Sequence, residues 1–187
     1  MASQSHLRIL GLDPGLGITG YAVLDTDGAR IALLEAGAIT GDSATPLADR
    51  LASLYKNISD IIEEFKVDGV ALEGLYSHYK HPVTAIKMGH ARGVMVLAAG
   101  ILGVPVHTYG ATRIKKALTG NGHASKGQMQ QMVKQKLNLA EPPHPADVAD
   151  AIAAAMCHLH NLDKSKRLPG RGMAASVREK IREARGG

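Results

Sequence analysis

Four acidic residues stand in three places where a carboxylate is unfavourable unless something binds it. Asp13 and Glu73 each end a short apolar run and precede a glycine-containing turn. Asp147 and Asp150 lie three residues apart at the start of an alanine-rich stretch. Hard divalent cations take oxygen ligands, and two-metal sites draw several carboxylates from separate elements. The pattern indicates metal-dependent phosphoryl chemistry, and the net charge of +5 favours a nucleic acid as the substrate.

Each of these acids also has an ordinary structural explanation. Asp13 could cap a tight Asp-Pro-Gly turn, and Asp147 and Asp150 could both interact with the helix dipole. A joint site is favoured because open α/β sheets place ligands at the carboxyl ends of central strands, where Asp13 would lie. Residues three apart also share one helix face, and two acids on a small, apolar helix are costly without a cation.

The elements that position these acids can be predicted from hydrophobic periodicity and turn signals. We expect one mixed α/β sheet of five strands flanked by helices, beginning with an antiparallel meander that turns at Asp27-Gly28. The predicted strands are 6–13, 18–25, 29–38, 70–73 and 104–108, and the predicted helices are 46–65, 82–102, 112–118, 128–137 and 145–160. If the strand of Glu73 pairs beside that of Asp13, both carboxylates face the same edge of the sheet.

Composition excludes several other classes of protein. Cys157 is the only cysteine, which rules out an internal disulfide and a cysteine-based zinc site. The apolar stretch 93–106 is too short to span a membrane, and the polar start of the chain does not resemble a signal peptide. We therefore expect a cytoplasmic protein with no membrane partner.

Four motifs, taken in order, resemble the RuvC family of Holliday-junction resolvases. They are Leu-Asp-Pro-Gly at 12–15, Leu-Glu-Gly at 72–74, Lys-Met-Gly-His-Ala-Arg-Gly-Val at 87–94 and Ala-Asp-Val-Ala-Asp-Ala at 146–151. The resemblance runs from about residue 7 to residue 160. It implies a ribonuclease H-like fold, a homodimer, and Mg²⁺-dependent symmetric nicking of four-way DNA junctions in recombination and repair. The family's four catalytic acids fall on Asp13, Glu73, Asp147 and Asp150.

The domain organisation follows from this resemblance and from the charge of the C-terminus. We predict a ribonuclease H-like nuclease domain over residues 1–163. Residues 164–187 are rich in Lys, Arg and Gly and predict a basic, disordered tail.

A two-metal mechanism suits the four acids. Two Mg²⁺ ions about 4 Å apart, or Mn²⁺ in their place, can activate a water and stabilise the leaving oxygen. Asp13 would bridge them, Glu73 and Asp147 would flank it, and Asp150 would complete the second site or orient its water. His144 is a candidate for a further ligand, although its position before a proline favours a loop histidine.

The DNA contacts are predicted from a loop and a basic cluster. The resemblance places at Tyr76 an aromatic residue that stacks on a base, and at Lys115 and Lys126 lysines that contact DNA. Arg113 and Lys116 lie close to Lys115 and extend the predicted basic surface. The alternatives are a tyrosine at the rim of the core and lysines on an ordinary solvated face.

The helix at 83–102 is rich in Gly, Ala and Met, and its apolar face is wide enough to serve both the sheet and a partner subunit. We expect it to form the dimer interface, with Ala91 on its outward face. A branch-migration helicase complex is a further expected partner.

Three other functions remain open from the sequence. An actin- or sugar-kinase-like phosphotransferase begins with a similar Asp-x-Gly turn, but it needs a second domain for which 187 residues leave no room. A catalytically silent junction-binding protein would not need four acids. A related ribonuclease H-like nuclease acting on RNA would have the same acids, and only an assay with different substrates separates it.

Overall fold

The structure, a computed structural model, describes residues 6–74 and 82–167. Its strands are β1 (Leu7–Asp13), β2 (Ile18–Thr26), β3 (Ile31–Thr40), β4 (Gly69–Glu73) and β5 (Val106–Tyr109). Its helices are α1 (Leu47–Phe65), α2 (Pro82–Ile101), α3 (Ala111–Thr119), α4 (Lys126–Leu137) and α5 (Ala146–Arg167). The ten predicted elements are therefore present in the predicted order.

The five strands form one sheet in the order β3-β2-β1-β4-β5. β1, β2 and β3 pair antiparallel, as the hairpin signal predicted, whereas β4 runs parallel to β1 and β5 runs parallel to β4. In the turn after β2, the Asp27 carboxylate accepts hydrogen bonds of 2.8 Å from the backbone N–H groups of Ala29 and Arg30. Because β1 and β4 are adjacent and parallel, their carboxyl ends lie at one edge of the sheet.

Alternating side chains divide the core between the two faces of the sheet. Leu10 and Leu12 of β1 pack with α1 and α2 on one face. Ile9 of β1 and Ala71 of β4 pack with α3, α4 and α5 on the other. The period of two along a strand thus determines which face each functional side chain of β1 and β4 can reach.

Helix α5 is longer than predicted. It continues to Arg167, and its last four residues belong to the segment that the sequence assigned to a basic tail. Residues 146–168 contain no glycine or proline that would end the helix, and basic residues are favourable near a helix C-terminus. The helix can therefore continue beyond residue 160. The remainder of the predicted tail, residues 168–187, lies outside the described residues.

Helix α2 has a buried face and an exposed apolar face. Ala91 and Met95 are fully buried on the side that packs in the core with α1 and the sheet, so the placement of Ala91 on the outward face was wrong. The exposed face instead carries four large apolar side chains, each 55–63% exposed: Val83, Ile86, Leu97 and Ile101. Any contact between copies through this helix must use these residues.

The edge strand β5 begins two residues later than predicted. Pro105 has no N–H to donate to a ladder, and the regular strand starts after it, at Val106.

In the part of the chain that the structure describes, no helix has the length and apolarity needed to cross a lipid bilayer.

Candidate active site

The register of β1 and β4 brings Asp13 and Glu73 together. Leu12 pairs with Leu72, and each acid is the next residue on its strand. Gly11 lies against α5, and Ala71 packs in the same core as α5. Because side chains two residues apart share a face, both carboxylates lie on the α5 side of the sheet.

Two glycines allow α5 to lie directly on the strands. A Cβ atom at Gly20 of β2 would overlap the carbonyl oxygen of Asp147, and one at Gly11 would overlap the carbonyl oxygen of Ala151. A Cβ at Gly11 would also lie 2.9 Å from the Cβ of Ala155. Only glycine tolerates this approach, since any side chain would push the helix away from the sheet. The close contact brings the first turn of α5, with its two acids, over the ends of the strands.

The four acids line one cleft of about 640 Å³. The turn after Asp13 forms part of its wall. Basic residues come to the cleft from four different helices: Arg50 from α1, Lys87 from α2, Lys115 from α3 and Lys126 from α4. The site predicted from the sequence is thus assembled in one place, with cations around a group of carboxylates.

The carboxylates crowd one another electrostatically. The pKa of Asp13 is raised to about 7, first by burial and then by the charges of Asp150, Glu73 and Asp147, in that order, while Lys126 opposes them. Burial also raises the pKa of Glu73 and of Asp150 above their ordinary values. These acids therefore share a partly desolvated space with too little positive charge to balance them.

This donor set fits a hard cation. All four groups are carboxylates, and their mutual repulsion is what a divalent ion would relieve. Among the described residues, no three acidic, histidine or cysteine side chains lie close enough to coordinate one ion as they stand. Binding a cation would therefore require these side chains to turn towards it. His144 lies on the exposed loop before α5 and does not line the cleft, in agreement with a loop histidine.

The predicted DNA-contacting residues have different positions. Lys115 and Lys126 line the cleft, and Lys126 begins α4 directly after Ser125, whose side chain caps that helix. Lys116 is exposed on α3 and does not line the cleft. Tyr76 lies outside the described residues.

Arg113 has partners within the protein. Its guanidinium lies 5.3 Å from the centre of the Tyr109 ring, and its Nη2 donates a 2.6 Å hydrogen bond to Oδ1 of Asn161. The Tyr109 hydroxyl is in turn 2.6 Å from Nδ1 of the buried His158. Arg113 thus connects α3 to α5 on the far side of α3 from the cleft lining.

Sequence reasoning missed Arg50 and Lys87. Lys87 lies in one of the four motifs, at the start of the stretch 87–94, but its position on α2 beside the acids became visible only in the structure. Arg50 carried no signal, because an arginine between the apolar positions of an amphipathic helix is ordinary.

A mixed sheet of three antiparallel and two parallel strands, with acids at the ends of β1 and β4 and on α5, defines a ribonuclease H-like protein with a nuclease-type carboxylate site. The comparisons with known proteins identify the family. The model of the family "Crossover junction endodeoxyribonuclease RuvC" matches residues 9–158. The RuvC of Rhodopirellula baltica is 52% identical over 149 residues, which are 80% of this chain and 84% of that protein. The RuvC of Caldanaerobacter subterraneus is 43% identical over 162 residues, which are 87% of this chain and 98% of that protein.

Solved structures agree with this assignment. A structure of Thermus thermophilus RuvC is 31% identical and superposes with a TM-score of 0.77 over 85% of this chain and 97% of that chain. A second, of T. thermophilus RuvC in complex with Holliday junction substrate, gives a TM-score of 0.80 over 85% and 96%. The yeast mitochondrial Holliday junction resolvase, at 11% identity and a TM-score of 0.58, shares the fold. The chain belongs to the RuvC family of crossover junction endodeoxyribonucleases.

Proposed function

We propose that this protein is a structure-selective endonuclease that resolves four-way (Holliday) DNA junctions by paired symmetric nicks, in recombination and DNA repair. The observation that supports this most strongly is the convergence of Asp13, Glu73, Asp147 and Asp150 in one cleft of a RuvC-family chain. The T. thermophilus relative was solved in complex with Holliday junction substrate, which supports the choice of DNA junction over RNA.

The four carboxylates would hold two Mg²⁺ ions, or Mn²⁺ in their place. Ions bound there would activate the attacking water and stabilise the leaving oxygen of an in-line displacement at phosphorus. Asp13 would be the central ligand, because all three other acids act on its pKa. Glu73 and Asp147 would flank it, and Asp150 would complete the second position or orient its water. With a pKa of about 7, Asp13 must release its proton before it can act as a ligand near neutral pH.

Lys115 and Lys126 hold the phosphate backbone over the acids. Both line the cleft, and both counter the negative charge on Glu73 and Asp150. Phosphate contacts of this kind supply most of the affinity for DNA, while the acids supply the chemistry. Tyr76, Arg113 and Lys116 remain proposed contacts around this central pair.

A homodimer would provide the two cuts that resolution requires. One cleft cuts one strand, and a two-fold dimer matches the approximate symmetry of the junction. The exposed apolar residues of α2 are a suitable shared surface, since Leu97 and Ile101 are 55% and 61% exposed and water otherwise covers them. A branch-migration helicase complex and a cytoplasmic location, where chromosomal DNA lies, complete the proposal.

The proposal is tested by four carboxamide variants: Asp13→Asn, Glu73→Gln, Asp147→Asn and Asp150→Asn. Each should abolish nicking of a synthetic four-way junction in Mg²⁺ while leaving junction binding in EDTA largely intact. The matched control is Asp60→Asn, which changes an exposed acid on α1 that pairs with Lys56, and this variant should nick normally. Linear duplex and RNA are the comparison substrates.

The outcomes separate the alternatives. Wild-type protein that binds the junction without cutting it in Mg²⁺ or Mn²⁺ would be a silent binding protein. Preferential cleavage of RNA would make it a different ribonuclease H-like nuclease. Full nicking by any two of the four variants would contradict the shared carboxylate site.

A further inference from the structure

Arg50 connects α1 to the turn that follows the catalytic Asp13. Its Nη2 donates a 2.7 Å hydrogen bond to the carbonyl oxygen of Leu16, whose side chain is buried in the core. The same turn is held at its end by a 2.9 Å hydrogen bond from the backbone N–H of Gly41 to the carbonyl of Gly17. Arg50 itself lines the active cleft. One side of this guanidinium therefore anchors the loop of Asp13, and it also reaches the cavity where the substrate would lie.

Arg50 forms no ion pair within the described part of the chain. Its side chain is half-buried, yet none of the ion pairs there involves it. Asp42 and Asp49 line the small cavity next to it, but neither pairs with it. Its Nε is buried and has no hydrogen-bond partner among the described residues. A partly desolvated charge without a counter-ion is unfavourable, so an anion in the cleft would stabilise it.

Lys87 lies on the same wall of the cleft. It is exposed on α2, which packs with α1 on the face of the sheet opposite to α3, α4 and α5. Lys115 and Lys126 approach the acids from the α3–α4 side. The cleft thus has two basic walls with the carboxylates between them.

We propose that Arg50, together with Lys87, binds a phosphate of the cleaved strand next to the scissile phosphate, on the wall formed by α1 and α2. The planar guanidinium offers several N–H donors and suits a phosphate better than a lysine does. Such a contact would hold the strand on both sides of the bond to be cut, with Lys115 and Lys126 on the other side. The inference rests on the proposed function, because it assumes that the cleft binds DNA.

The test is the salt dependence of DNA binding in EDTA, measured by fluorescence anisotropy with a four-way junction and a linear duplex. Arg50→Gln removes the charge but keeps an amide that can donate to Leu16, and Arg50→Lys keeps the charge. For Arg50→Gln, the slope of log K against log salt should fall by about 0.9, the value for one phosphate contact. Arg50→Lys should retain most of the wild-type slope. Lys87→Gln, on an exposed side chain, should also lower it.

The control is Arg30→Gln, which changes an exposed arginine of the β2–β3 hairpin at the opposite end of β2 from the cleft. It should leave the slope unchanged. A wild-type slope in Arg50→Gln, with a lower melting temperature, would show that Arg50 serves only to hold Leu16, and the inference would be wrong. An equal loss of slope in Arg50→Lys would also overturn it. Wild-type protein that binds duplex as well as junction would instead count against the proposed function, while the Arg50 comparison would still be readable on the duplex.

Discussion

Replacing Asp13 by asparagine should make the metal-free protein more stable above pH 7. The pKa of this carboxyl is about 7 in the folded protein and 3.8 ordinarily. Between these values the folded protein holds a proton that the unfolded chain has released, so the free energy of unfolding falls as pH rises. Above pH 7 the folded protein bears the full cost of a buried charge beside three other acids. Asparagine has almost the same shape and no charge, and it removes that cost.

The size of the effect follows from the two pKa values. They differ by about three pH units, and each is worth about 1.4 kcal/mol, which sets a ceiling on the order of 4 kcal/mol. Among the described residues the Asp13 side chain accepts no hydrogen bond, so the amide loses no such contact. An increase of about 2–4 kcal/mol corresponds to roughly 5–10 °C in melting temperature for a chain of this length.

The assay is thermal or urea unfolding in EDTA at pH 8 and at pH 5. At pH 5 wild-type Asp13 is protonated, so the difference between the two proteins should shrink. Asp27→Asn is the control, because backbone N–H groups of Arg30 and Ala29 lower the pKa of Asp27 and loss of its charge should not stabilise the fold. Added Mg²⁺ should stabilise the wild type more than Asp13→Asn, since only the wild type has the complete ligand set. A variant no more stable than wild type at pH 8, or a difference equal at both pH values, would refute the crowding of charge in the cleft.

Three further predictions concern the walls of the cleft, the helix contact and the subunit surface. Lys115→Ala and Lys126→Ala should each weaken junction binding and lower the salt slope by about 0.9. Lys126→Ala should also move the pH profile of nicking to higher pH, because this lysine lowers the pKa of Asp13. Arg30→Gln, on the exposed β2–β3 hairpin, is the control, and unchanged slopes would show that the two lysines belong to an ordinary solvated surface. Gly20→Ala should lower the free energy of unfolding by about 1–3 kcal/mol and remove much of the nicking activity, because its methyl group would displace the backbone of α5 at Asp147. Gly127→Ala is the control, since a methyl group there meets open space and should be tolerated. Unfolding curves that show equal stability for the two variants would contradict the contact. Leu97→Glu should give folded monomers by sedimentation, and these should not make paired cuts in a supercoiled cruciform plasmid. Ala91→Glu, at a buried position, should fail to fold. A dimeric Leu97→Glu would exclude this face of α2 as the dimer interface.

Local patterns in the sequence were enough to predict the order of the elements and the four acids. Strand and helix periodicity, the Asp27-Gly28 hairpin and the apolar runs before Asp13 and Glu73 depend on residues close in the chain, and the structure contains all of them. The ends of elements were less predictable. Helix α5 continues to Arg167 because no glycine or proline interrupts it, and β5 begins only at Val106 because Pro105 has no N–H to donate to the ladder.

The tertiary structure decided which of these residues work together. The sequence placed Arg113 on the basic surface around Lys115, and the fold sets its guanidinium against Tyr109 and Asn161. Arg50 had no distinguishing pattern, yet packing places it on the cleft of the acids with no ion pair among the described residues. The raised pKa of Asp13 likewise arises from burial in the folded protein and from charges up to 137 positions away in the chain, the most distant being Asp150. The sequence by itself determined the chemical groups and the elements that carry them, because those depend on neighbours in the chain. Charge balance, burial and close approach depend on contacts between distant segments, so only the fold could decide them.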